Sequence, residues 1–155
     1  MPSLQKFNDF AEQVLRGVHN FGSHTFKVAL TNTAPAATNT VLANITQIAA
    51  TGGYVTGGYA LDSISITRAM EDVEVVVSAA VQTVNKSVTR VKIADEVITA
   101  SSGPVGPFRY PVVYNDSVAG KPLVGWVDRG DSITLLDGES LTLDFDAAAG
   151  VLTLA

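Results

Sequence analysis

The feature that most narrows the fold of this chain is a rhythm that sets in after residue 23. Short runs of alternating apolar and polar residues are broken every 8–12 residues or so by glycine, proline, asparagine or aspartate. Alternation with a period of two puts one set of side chains on one face of a strand. Phe26, Val28 and Leu30 form such a set, and so do Leu141, Leu143 and Phe145, with Thr142, Asp144 and Asp146 on the opposite face. Val88-Thr89-Arg90-Val91-Lys92-Ile93 alternates too, with its basic residues facing out. Ile64 and Ile66, then Val73, Val75 and Val77, continue the pattern, and further strands are expected at residues 109–114, 122–128, 132–136 and 151–154. Asn115-Asp116-Ser117 with Gly120, and Asp137-Gly138, read as turns. Gly103-Pro104-Val105-Gly106-Pro107 reads as a hard break, because proline lacks the ladder donor. The expected fold is all-β, an antiparallel sandwich of jelly-roll-like form.

One segment has helical period instead. Leu4, Phe7, Phe10, Ala11, Val14, Leu15 and Val18 recur at three- and four-residue steps, predicting an amphipathic helix over residues 4–18 with Ser3 as N-cap and Asn20 and Gly22 as the stop. The expected organisation is an N-terminal helical arm over residues 1–22 and a single β-sandwich domain over 23–155, a size that suits one domain. A stretch rich in Thr, Asn, Ala and Pro follows the first strand at residues 31–40, and residues 41–49 have the spacing of a short helix. The repeated Gly-Gly-Tyr of Gly52-Gly53-Tyr54 and Gly57-Gly58-Tyr59 predicts turns with positive φ.

Charge and hydropathy bound the partners. The net charge is −5 and the pI about 4.8, so the overall field does not attract nucleic acid or an anionic membrane. Charged residues make up only 16% of the chain and mean hydropathy is +0.26. Either the core is unusually large or some apolar surface is covered by a partner. No apolar run reaches the roughly 20 residues of a membrane span. The N-terminal run has no basic start followed by an apolar block, so it does not read as a secretory signal peptide. With no cysteine, disulfides and thiolate metal sites are excluded.

Little in the chain points to catalysis. His19 and His24 are five residues apart, fit no zinc spacing and read as surface or capping residues. There is no Gly-x-Ser-x-Gly elbow, and the paired glycines match neither a P-loop nor a dinucleotide fingerprint. Asp144 and Asp146 would share a strand face, with Asp128, Asp131 and Asp137 near in sequence. Such a group could hold calcium or serve a glycosidase, but charges on a strand more commonly deter edge pairing. Arg90 and Lys92 read as a solvated face. Trp126 and Tyr54, Tyr59, Tyr110 and Tyr114 read as core or interface anchors, with a carbohydrate platform as the alternative. The apolar stripe of the first segment either caps its own sandwich or lies across a neighbouring subunit. The interface candidates are therefore Leu4, Phe7, Phe10, Val14, Leu15, Val18 and Trp126.

Several stretches carry a resemblance. They are Phe26-Lys27-Val28-Ala29-Leu30-Thr31-Asn32, the run at 34–42, Ile48-Ala49-Ala50 with Gly52-Gly53-Tyr54, and Gly106-Pro107-Phe108-Arg109-Tyr110. Val113-Tyr114-Asn115-Asp116-Ser117, Lys121-Pro122-Leu123-Val124-Gly125-Trp126, and Asp137-Gly138-Glu139 leading to Gly150-Val151-Leu152-Thr153-Leu154 complete it. In these the chain resembles small virion proteins of tailed bacteriophages, some of which act as capsid decoration (cement) proteins. Residues 71–84 fall outside the resemblance. It implies a structural protein that is not an enzyme, takes no cofactor and carries no catalytic residues. The implied partners are the major capsid protein and further copies of itself, a trimer being favoured, with neither nucleic acid nor membrane bound. The implied location is the surface of the phage head, after synthesis in the bacterial cytoplasm. The alternatives are a head fibre, a tail component or a host-receptor (glycan) binding virion protein, and, from the carboxylates, a glycan hydrolase acting through Asp144 and Asp146.

Overall fold

The computed structural model describes residues 4–77, 80–145, 150 and 152–154. The chain is all-β and antiparallel. A five-stranded sheet has the order β1-β9-β8-β2-β3, formed by β1 (Gln5–Lys6), β9 (Leu123–Trp126), β8 (Tyr110–Asn115), β2 (Phe26–Thr31) and β3 (Tyr59–Leu61). Two small pairs join β10 (Ile133–Leu135) to β7 (Val105–Phe108) and β11 (Ser140–Leu143) to β6 (Glu96–Thr99). The last sheet has the order β12-β5-β4, from β12 (Leu152–Leu154), β5 (Ala80–Lys92) and β4 (Ser65–Val77).

The five-stranded sheet is covered on both faces, and the period of two shows how. Phe26, Val28, Leu30, Val113 and Val124 point into the larger core, where they meet Val91, Ile98, Val105, Phe108, Leu135 and Leu143 from the smaller sheets and Ile93 and Phe145 just past the ends of β5 and β11. Ala29, Val112, Tyr114, Leu123 and Trp126 point to the other side, where Phe7 and Ile45 cover them. The smaller sheets thus form a second layer on one face, and the N-terminal segment with the loop after β2 closes the other.

The helix expected over 4–18 is much shorter. Only α1 (Phe10–Leu15) is helical, Asp9 is its N-cap residue, and Ser3 lies outside the described residues. Gln5 and Lys6 instead pair with Trp126 and Gly125 as an edge strand. The backbone hydrogen bonds of a sheet edge hold this stretch better than a first helical turn with unsatisfied N–H groups. The helix expected at 41–49 reduces to one 3₁₀ turn at Leu42–Asn44, whose Asn44 Oδ1 accepts from the N–H groups of Thr40 and Val41. The break expected at residues 103–107 holds at Gly103 and Pro104, which precede β7, and is corrected for residues 105–107, where β7 begins. Phe108 pairs with Ile133 and Val105 with Leu135, and the register shifts between them. Gly106 and Pro107 therefore fall at the irregularity, where Pro107 owes no N–H to the ladder.

The Gly-Gly-Tyr repeat is a turn, as its composition predicts. Gly52, Gly53, Gly57 and Gly58 all have positive φ. Tyr54 is buried, accepts from the Leu30 N–H at 3.1 Å and donates to Gln47 Oε1 at 2.8 Å, while the Tyr114 hydroxyl donates to the Gly57 carbonyl at 2.6 Å. At Gly58 an added Cβ would lie 1.8 Å from the Val28 carbonyl oxygen, whereas at Gly138, also with positive φ, it would meet nothing within 4 Å. Gly58→Ala is therefore expected to cost more than about 2 kcal/mol, by steric clash plus backbone strain. Gly138→Ala should cost only about 1 kcal/mol, the left-handed backbone penalty. Urea unfolding of the two variants checks this, and equal costs would show that the loop does not press on β2.

Candidate functional site

The seven residues expected to form an interface lie mostly inside the fold. Phe7 is buried with its ring centroid 4.6 Å from that of Trp126, Phe10 is buried in the larger core, and Leu4 and Val14 are half-buried against that core. Val18 is half-buried, and only Leu15 stands out in solvent, at 88% exposure. Trp126 and Phe7 share the smaller core. Within one copy the stripe, Leu15 apart, anchors the N-terminal segment to its own sheet, the first of the two readings of its apolar face.

The carboxylates near the end of the chain are engaged in local structure. Asp128 takes Arg109 through both oxygens, at 2.7 and 2.9 Å, and also accepts from the Gly130 N–H, so its carboxyl is held below its ordinary pKa. Asp116 joins Lys121 and Lys27 and is lowered for the same reason. Asp137 accepts from the Gly103 N–H, Asp95 from the Phe145 N–H and Glu139 from the Leu136 N–H, each fastening a turn or strand end. Asp144 lines a shallow cleft of about 220 Å³ with Pro111, Val127, Arg129 and Leu141, and Asp146 lies outside the described residues. Among the described residues no three His, Asp or Glu side chains are grouped to hold a metal ion, and no helix is long and apolar enough to cross a membrane.

Of the two histidines, His24 is half-exposed and its Nδ1 accepts from the Asn20 N–H at 3.4 Å, as a capping residue would, whereas His19 is not at the surface. His19 is buried between the rings of Phe10, Phe21 and Phe26, at centroid distances of 5.5, 6.2 and 6.1 Å. Asn115, also buried, links the two histidines to β8. Its Nδ2 lies 3.0 Å from His24 Nδ1 and 3.1 Å from the Val18 carbonyl oxygen, to which it donates. Burial lowers the His19 pKa to about 4, outweighing the Leu123 backbone and Asp9, which act the other way.

The surface that stands apart is the β4–β5 hairpin. Thirteen consecutive pairs run from Ser65 opposite Lys92 to Val77 opposite Ala80 without a shift. At the usual rise per residue, such a ribbon is roughly 40 Å long. Its base is rooted in the body, for Val88 and Val91 are buried and β12 pairs with residues 89–91 of β5. Along the ribbon, residues 65–70 of β4 and 81 and 83–87 of β5 are exposed. Four large apolar side chains there face water: Ile66 (55% exposed), Met70 (62%), Val81 (63%) and Val84 (43%). Across the strands, Arg90 Nη2 donates to Glu71 Oε2 at 2.7 Å and Asn85 donates to Asp72 Oδ1 at 3.0 Å. Arg90 is therefore paired within the ribbon, and the Glu71 carboxyl is held below its ordinary pKa by that hydrogen bond.

The alternation of Val73, Val75 and Val77 marks a strand, yet the ribbon as a whole was not legible. Its length depends on which residues of β4 and β5 face each other, and no single strand carries that information.

No family model, no curated protein and no solved structure matches this chain.

A pH effect follows from His19. Unfolded, the ring takes its proton near pH 6.5; folded, it stays neutral until about pH 4. Its contribution is whole above pH 6.5 and is lost as pH falls to 4, by about 3 kcal/mol. The difference in urea midpoint between the native chain and His19→Leu should change across that window and be level outside it. A constant difference from pH 7 to 4 would show that burial of His19 is not the source.

Proposed function

We propose that this chain is a structural protein of a bacteriophage particle, a decoration protein that binds the outside of the head and ties adjacent major capsid subunits. The observation that carries the reading is the β4–β5 ribbon. An isolated two-stranded ribbon is at best marginally stable in water, and this one holds Ile66, Met70, Val81 and Val84 in solvent. Such an element fits a protein completed by its neighbours. The low content of charged residues, 16%, supports the same reading, as does the employment of Asp116, Asp128, Asp137 and Glu139 in clamps and turns rather than in an open acidic site. The jelly-roll-like description of the body belongs to this proposal; the packing of the smaller sheets over one face of the five-stranded sheet supports it.

In this reading the body is a rigid block and the ribbon supplies the contact. Burying a valine, isoleucine or methionine fully is worth roughly 1.5–3 kcal/mol. A few such side chains per copy, repeated over a lattice by an oligomer, give firm attachment without a pocket. The alternative virion reading is a head fibre, a tail component or a receptor-binding part, in which the ribbon meets a host surface.

Quantitative mass spectrometry of purified particles separates the two. A copy number on the order of that of the major capsid protein is the expected result. A handful of copies moves the protein to a fibre, tail or vertex, and none removes it from the particle altogether. With the decoration role in place, Val81→Ser with Val84→Ser should weaken binding to bare capsids by on the order of tenfold, read by co-sedimentation. Undiminished binding would mean that the lattice is held by some other face.

A further inference from the structure

We propose that the outer edge of β4 pairs with the same edge of a second copy of this chain, antiparallel and two-fold symmetric about Met70. The inference concerns the chain in solution and stands apart from any role on a particle.

The edge itself is the first observation. In the sheet order β12-β5-β4, β4 has a neighbour on one side only among the described residues, so every second one of its thirteen residues turns its backbone N–H and C=O groups to an open edge. A long edge of this kind is a template for another strand. The remaining candidates are shorter. β1 and β3, at the ends of the five-stranded sheet, have two and three residues, and β5, covered by β12 at residues 89–91, leaves only the shorter run 80–88.

Charge then selects both the occupant and the register. Ile66, Arg68, Met70, Asp72 and Glu74 are alternate residues of β4 and share one face, and all five are exposed. Two copies centred on Met70 place Met70 opposite Met70 and Arg68 opposite Asp72, twice by symmetry. Glu74 falls opposite Ile66 and diagonal to the same arginine, within reach of a long side chain. Glu71, already engaged by Arg90 of its own hairpin, faces Ala69. Of the neighbouring registers, the one centred on Glu71 also sets Arg68 opposite an acid, Glu74, but none pairs unlike charges without a like-charge pair. Centring on Ala69 sets Asp72 against Ile66 and leaves Arg68 against Met70. Centring on Glu71 sets two glutamates face to face, centring on Asp72 two aspartates, and centring on Arg68 two arginines. Charges on a strand edge ordinarily deter pairing. Here the registers centred on Arg68, Glu71 and Asp72 each carry a like-charge pair, and the one centred on Ala69 has no unlike pair. The one centred on Met70 alone gains Arg68–Asp72 pairs without a like-charge pair, which makes the charges a register device for a self-complementary interface. The paired ribbons form a continuous six-stranded sheet whose faces still present Val81 and Val84.

The test uses the full chain and analytical ultracentrifugation over a concentration series. The native protein should sediment as a monomer–dimer system. Arg68→Asp and Asp72→Arg each create two like-charge pairs and should weaken dimerisation by about tenfold. The double variant R68D/D72R restores opposite charges across the two-fold axis and should recover the native dimer. A monomer at every concentration, a trimer, single reversals without effect, or a double variant no tighter than the singles would each overturn the proposal. Amide hydrogen exchange guards against misfolded variants, since it needs none. In the native chain, protection over residues 66–74 should rise with concentration while β3 stays unchanged. Protection that is independent of concentration, or that appears only when bare capsids are added, assigns the edge to another occupant and overturns the pairing.

Discussion

Everything in the body is organised around β2, which is bonded on both edges and buried on both faces. Its register with β8 runs unbroken from Phe26 opposite Asn115 to Thr31 opposite Tyr110, and β3 holds its other edge through Phe26, Lys27 and Val28. Phe26, Val28 and Leu30 sit in one core and Ala29 in the other. Burying a strand on both faces demands that each backbone group be paired and that no charge be left uncompensated. Lys27, the single charged residue of β2, meets this demand through Asp116 at 2.9 Å, the carboxylate that also receives Lys121.

The parts around β2 are placed by what they offer it. The Gly-Gly-Tyr turn comes so close that only glycine fits at position 58, and Tyr54 uses the approach to bond the Leu30 N–H. On the opposite face Phe7 and Trp126 close the smaller core, which is why the N-terminal segment is drawn into the sheet as β1 before its short helix begins. The helix then returns Phe10 to the larger core, where it lies beside His19 and Phe21. A neutral His19 fits this apolar setting because Asn115 supplies local polar company without adding charge.

The hairpin of β4 and β5 obeys a different logic. Its root shares the larger core through Val91, while its length lies in solvent, held by ladder bonds and by cross-strand pairs such as Arg90 with Glu71. Such pairs on an exposed surface contribute little, roughly 0–1 kcal/mol. Among the described residues, none from 70 to 87 belongs to either core. Ile66, Met70, Val81 and Val84 thus stand on an element outlying the body, the surface on which the proposed contacts rest.

Local pattern determined much of this. The alternation at Phe26, Val28 and Leu30 and at Leu141, Leu143 and Phe145 named strands and their inward faces correctly, and the paired glycines of residues 52–58 named turns with positive φ. These are properties that a residue shares with its immediate neighbours, so the sequence by itself determines them. The tertiary structure decided the rest. The spacing of Leu4, Phe7 and Phe10 suits a helix, yet Phe7 and Phe10 are buried in two different cores, and the bonds offered by β9 turn residues 5–6 into a strand. Gly106 and Pro107 look like a break, but a register shift opposite β10 lets the strand pass. Of the N-terminal stripe, Phe7 and Phe10 are core while Leu15 stays in solvent, and the ribbon carries exposed apolar side chains of its own. Periodicity states that a residue belongs to an apolar face; what covers that face is set by chain segments distant in sequence, through pairings that exist only once the whole chain has folded.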